Sequence, residues 1–208
     1  MKDIKIQKII FPFLPPDLVV NLQEFETCLF TNDDLRKMFF FLRNSNYTHY
    51  LILKLLFSSG MSTPELVSFK IKNFEPSSAN LKISERCRLK HRNIRISDDF
   101  AKELYRFCQS EKTTELPLFP GQKGLREERS IQKILQKASQ IIKKEVSIPL
   151  IRDSIALYFF HRGFPAQEIQ IFLGHRSLKS TKQRISLYST LDETSNSATF
   201  EDFGSEAA

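Results

Sequence analysis

From Thr31 onward the apolar positions of the chain fall into helical registers separated by clear stops. Thr31-Asn32-Asp33-Asp34 supplies a side-chain cap and first-turn acids ahead of Leu35, Met38, Phe39 and Leu42, which predicts a helix. A second apolar helix runs from about Tyr47 to Ser58 and stops at Gly60, and Thr63-Pro64-Glu65 begins a third. Between Phe74 and Ile96 the period changes to two. Leu81-Lys82-Ile83 and Asn93-Ile94-Arg95-Ile96 read as strands flanking a basic turn, Arg86-Cys87-Arg88-Leu89-Lys90-His91-Arg92. Ser97-Asp98-Asp99 caps the next helix, with Phe100, Leu104 and Phe107 on one face, and the loop Leu116 to Gly121 follows. The most regular stripe, Ile131, Ile134, Leu135, Ala138, Ile141 and Ile142, predicts a helix over about 127–145. After Pro149 a helix carries Arg152 to Arg162 and ends at Gly163. Pro165 opens a short one that Gly174 closes, and Ser177 caps the last.

The ends read differently. Pro12, Pro15 and Pro16 break residues 1–29, leaving room for one short helix from Val19 to Phe25, so this stretch is expected to be an N-terminal arm. Residues 30–190 form the domain, and 191–208 form an acidic, flexible tail. The expected fold class is mainly α with a small antiparallel β-sheet, an α+β domain.

Composition adds a partner class. The 208 residues are 41% hydrophobic and 26% charged, enough for one core. The formal charge is +7, but five acids lie beyond residue 191 with no Lys or Arg among them, so residues 1–191 carry +12. Such an excess suits a polyanion, nucleic acid above all, or else a solvated lysine-rich surface. Cys28, Cys87 and Cys108 are odd in number and form no C-x-x-C motif, so neither a disulfide framework nor a zinc site is readable. No secretory h-region or run of roughly 18 apolar residues occurs, which predicts a cytoplasmic protein without a membrane contact.

The candidate chemistry lies near the end of the domain. Leu173-Gly174-His175 precedes a segment holding Arg176, Lys179, Lys182, Arg184 and Tyr188, with Arg152 upstream. In this order over about residues 30–190, these residues resemble the catalytic domain of the tyrosine recombinase, or phage integrase, family, of the Xer type. The resemblance implies cleavage and rejoining of DNA through a 3′-phosphotyrosine. Two arginines, a histidine and a lysine attend the phosphate there, because guanidinium groups bind oxygens bidentately and neutralise developing charge.

Matched to the family's boxes, the first arginine falls at Ser62, in Ser59-Gly60-Met61-Ser62-Thr63-Pro64-Glu65-Leu66. The lysine falls at Cys87 and the second-box histidine at Pro149, while Arg152 and His175 match. The family tyrosine lies nine residues past the histidine, at Arg184, or at Ile185 if one residue is inserted; Tyr188 stands one turn further on. The resemblance therefore implies Arg152, His175 and Tyr188 as the catalytic set. It also implies Arg86, Arg88, Lys90, Arg92, Arg176, Lys179, Lys182 and Arg184 as duplex-DNA contacts, with neither cofactor nor metal, and a nucleoid-associated location. The partner it implies is duplex DNA, with another recombinase subunit or a second copy as a further expected partner through the C-terminal segment.

Each residue also has a plainer reading. Arg152 among apolar neighbours suits a buried structural cation, His175 a helix end, Tyr188 a packed ring, and Ser62 the start of a helix. Three functions stand side by side: an accessory or regulatory DNA binder impaired in strand transfer, an active recombinase using Tyr188, and an interaction module for a true recombinase. Losing one charge-assisted transition-state contact costs about 2.7–4 kcal/mol, so three substituted positions favour the first.

Overall fold

The computed structural model describes residues 14–15, 17–84, 91–109, 113–122 and 124–198, the last ten by backbone alone. The basic turn residues Arg86, Cys87, Arg88 and Lys90 lie outside this set. Among the described residues the order is α1 (Asn32–Ser45), α2 (Tyr47–Ser59), α3 (Thr63–Ser68), β1 (Phe74–Glu75), β2 (Asn80–Ile83), β3 (Arg92–Arg95), α4 (Asp98–Cys108), α5 (Glu128–Ile142), α6 (Ile148–His161), α7 (Ala166–Leu173) and α8 (Leu178–Ala198). The strands form one antiparallel sheet in the order β1-β2-β3, with Leu81 opposite Ile94 and Ile83 opposite Arg92. The mainly helical class with a small antiparallel sheet is what the sequence pattern predicts.

Local chemistry sets the ends. Thr31 and Asp34 form a reciprocal capping box on α1, and Lys144 reaches Asp34 at 2.7 Å from beyond the end of α5. Gly60 ends α2 in the left-handed conformation at φ 59°, and a Cβ there would meet Leu173 Cδ2 at 2.8 Å, so glycine is required twice over. Lys143 stops α5 at Ile142 by turning left-handed at φ 57°, three residues short of the predicted end.

The described part of the N-terminal stretch packs into the domain. Leu18, Val20, Phe25 and Phe30 are fully buried, Phe25 stacks on Tyr158 at 5.0 Å, and Thr27 Oγ1 lies 2.8 Å from Ser154 Oγ. Val19 to Phe25 is not a helix but a chain of turns. The Asn21 side chain accepts from the Gln23 amide, and the Asn21 amide donates to the Tyr158 hydroxyl. At the other end α8 continues to Ala198, past the predicted start of the tail at residue 191.

The centre of the core is α6, buried on every side from Ile151 to Phe159. A helix in that position must satisfy its polar side chains internally, which fixes the partners of Arg152, Asp153 and Ser154.

Candidate functional site

Four elements meet around the N-terminal half of α6: the end of α2, the start of α3, β3, and the α7–α8 junction. Arg152 projects from α6 into this junction and is 8% exposed. One guanidinium amino group donates to the Gly60 carbonyl, and the other donates to the Leu173 carbonyl at 2.9 Å. These are carbonyls at the ends of α2 and α7, which lack helical partners, so the side chain fastens two helix termini to a third helix. Burial first, and the nearby Arg92 second, push its pKa down to about 10.

Beside it lies a second buried cation. Arg92 is fully buried, with Nη1 2.6 Å from Glu65 Oε1 and Nη2 3.3 Å from Glu65 Oε2. This corrects its expected role as a DNA contact. Arg92 shares the inward parity of β3 with Ile94, and its charge is used on Glu65. Glu65 in turn accepts from the Ser62 amide at 2.8 Å and the Ser62 hydroxyl at 2.9 Å, completing a capping box on α3. Ser62, the position matched to the family's first arginine, therefore begins a helix. Pro149 stands exposed in the first turn of α6.

His175 follows the α7 stop at Gly174. Its Nδ1 lies 2.9 Å from the hydroxyl of fully buried Thr181 on α8. Burial and the charges of Arg152, Arg184 and Arg92 push its pKa down to about 3, so the ring is neutral at physiological pH and acts as a hydrogen-bonding group. A histidine whose folded pKa lies below the ordinary 6.5 leaves the unfolded chain to take up the proton first. Stability is then full above about pH 6.5 and is lost as pH falls toward 3. Comparing chemical denaturation of the wild type and His175→Gln at pH 7 and pH 5 is expected to reveal about 1–2 kcal/mol of acid-dependent loss that only the wild type shows. Equal pH dependence in the two proteins would refute a neutral, buried imidazole.

Helix α8 presents Thr181 and Ile185 inward, Ile185 at 5% exposure. The position matched to the family tyrosine, allowing the one-residue insertion, is thus an aliphatic core residue. Arg184, the position matched without that insertion, pairs through Nη1 with Asp153 Oδ1 at 2.5 Å, while its side chain remains 43% exposed. Burial raises the Asp153 carboxyl, and Arg184 opposes that rise. Tyr188 is half-buried further along α8, and its phenol is raised by burial and then by Asp153, with Arg184 opposing. The structure thus brings Arg152, His175 and Arg184 into one electrostatic neighbourhood. The charges acting most on Tyr188 are those of Asp153 and Arg184 rather than Arg152. Arg176, Lys179 and Lys182 are exposed at the start of α8.

Glu65, Asp153 and Thr181 belong to the site although the expected set leaves them out. Glu65 is signalled by its place three residues after Ser62, the spacing of a capping box, and Asp153 by being an acid inside an apolar helix. Thr181 carries no such signal. Among the described residues, no group of three or more His, Cys, Asp or Glu side chains is arranged to hold a metal ion, and no helix is long and apolar enough to cross a membrane.

Comparison with known proteins gives this arrangement its lineage. The chain is 26% identical over 180 residues to a tyrosine recombinase of Pseudothermotoga lettingae, covering 85% of this chain and 57% of that protein. It is also 26% identical over 186 residues to tyrosine recombinase XerA of Pyrococcus horikoshii, covering 86% and 61%. It therefore spans about three fifths of the length of these curated relatives. The fold matches a crystal structure of XerA recombinase with TM-score 0.69 at 18% identity, over 84% of this chain and 65% of that one. It matches XerH recombinase bound to its palindromic difH substrate with TM-score 0.66 at 18% identity, over 81% and 52%. The family model described as "Phage integrase family" matches residues 29–189, which is the whole body from the last turn before α1 through the candidate site, and on that match the chain belongs to the phage integrase family of tyrosine recombinases.

Proposed function

We propose that this chain is a duplex-DNA-binding member of its family in which strand transfer is impaired, acting as an accessory or regulatory binder. The observation that carries the reading is the commitment of Arg152: both its terminal amino groups are bonded to main-chain carbonyls inside the core. Each amino group keeps a second N–H, but the side chain is only 8% exposed and turned to the helix ends, whereas a phosphate needs donors that face outward. Ser62 in a helix cap, Ile185 in the core and a neutral His175 support the same conclusion.

DNA binding requires only exposed positive charge, and Lys179 and Lys182 keep it at the start of α8. The solved relative XerH is bound to DNA, which supports duplex DNA as the partner. In a gel-shift salt titration with a 30-bp duplex, replacing both lysines by Ala is expected to weaken binding and flatten the log K against log salt slope by about 2. In parallel, denaturing gels after incubation with nicked duplex are expected to contain no covalent adduct above the Tyr188→Phe background. A Tyr188-dependent adduct would instead establish a working recombinase. Absence of duplex binding, recovered on adding a relative's recombinase, would make the chain an interaction module.

A further inference from the structure

At the far end of α2 from Gly60, about 20 Å away by helical rise, a groove of about 360 Å³ opens between α2 and α4. Tyr47, 40% exposed, stands at its mouth. Its hydroxyl donates to Glu103 Oε1 at 3.1 Å, and Tyr50 donates to Oε2 of the same carboxylate at 3.1 Å. Lys54 lies 2.6 Å from that carboxylate and 5.3 Å from the Tyr50 ring centre. The two rings sit 5.6 Å apart at 32°, so the outer one is held at a fixed angle from behind.

Around this platform the charge is positive. Arg43, Lys54, Lys102 and Arg106 line the groove against Asp99 and Glu103. Glu103 is used on Lys54 and Asp99 lies 3.6 Å from Lys102, while Arg43 and Arg106 meet no carboxylate among the described residues. Phe40, three residues before Arg43 on α1 and so a neighbour of it on the helix surface, is 74% exposed.

We propose that this groove binds single-stranded nucleic acid, with bases stacked on Tyr47 and Phe40 and the backbone held by Arg43 and Arg106. Fixed aromatic faces interleaved with cations that meet no carboxylate, Arg43 lying 5.7 Å from the Tyr50 ring centre, are the elements that single strands use, since every base has a stackable face and every linkage a negative charge. Duplex DNA hides its base faces and cannot use the rings. An acidic peptide would satisfy the cations and leave the rings unused. The site goes beyond the proposed duplex-binding function and is separate from the lysines of α8.

The test is fluorescence anisotropy of the full chain with labelled dT20 and with a 20-bp duplex. Tyr47→Ala is expected to weaken dT20 binding about tenfold, Tyr47→Phe to keep it, and Arg43→Ala with Arg106→Ala to weaken it and flatten its salt dependence, all with duplex affinity within about twofold. Phe40→Ala, at a position too exposed to support the core, is expected to weaken dT20 severalfold even if Tyr47→Ala perturbs folding. Unchanged dT20 affinity in both Tyr47→Ala and Phe40→Ala would overturn the proposal. So would displacement of dT20 by polyglutamate at equal charge, which would assign the groove to acidic peptides. Loss of duplex binding with dT20 binding intact would overturn only the duplex function.

Discussion

Replacing Glu65 by Ala is expected to lower the stability of the protein by about 3–5 kcal/mol, because it leaves Arg92 charged, buried and without its carboxylate. For a domain of this size that corresponds to a fall of about 6–20 °C in Tm, read by circular dichroism. The loss has a second source in the same side chain, since Glu65 also closes the capping box on Ser62. The pair Glu65→Leu with Arg92→Met is expected to recover most of the stability, because an apolar pair of similar volume carries no desolvation cost. Glu65→Ala melting within about 1 kcal/mol of wild type would mean that Arg92 finds another anion or reaches solvent.

Arg152→Ala is expected to cost about 2–6 kcal/mol, since two charge-assisted bonds to otherwise unpartnered carbonyls disappear at once. Relief from Arg92, which opposes the charge of Arg152, places the result toward the lower half of that range. Arg152→Lys has one amino group in place of two and is expected to fall between. Duplex affinity of the folded variant, measured at low temperature, is expected to change less than threefold. A variant that melts normally but binds DNA more than tenfold more weakly would return Arg152 to the phosphate.

These two arginines mark the limit of what sequence pattern conveys. Local chemistry is legible: the Thr31 and Asp34 box, the glycine stops at 60 and 174, and the α5 stripe all depend on neighbours within a few residues. The family order is legible too, because Leu173-Gly174-His175 and Arg152 survive as residues. What each residue does was not. Glu65 and Arg92 are 27 positions apart, and only the registered β2–β3 pairing and the packing of α3 bring them together. Asp153 and Arg184 are separated by 31 positions and meet only when α8 returns across α6. Arg92 looked like part of a basic surface, yet its parity with Ile94 already assigns it to the inner face of the strand. Leu18, Val20 and Phe25 join the core without any period, because they enter through turns held by Tyr158 and Ser154.

Gly60 has a consequence for the order in which the chain can be completed. Its carbonyl is taken by a guanidinium 92 residues later, and its open α-carbon face is filled by Leu173. During synthesis from the N-terminus, α1 to α5 therefore emerge with the end of α2 unsealed, however well each helix forms alone. Closure waits for α6 and α7, and contacts this distant in sequence slow folding. Until then the α-carbon face of Gly60, covered in the folded chain by Leu173, Ile155 and Phe172, lies open. The protein becomes a finished domain only when its last third arrives.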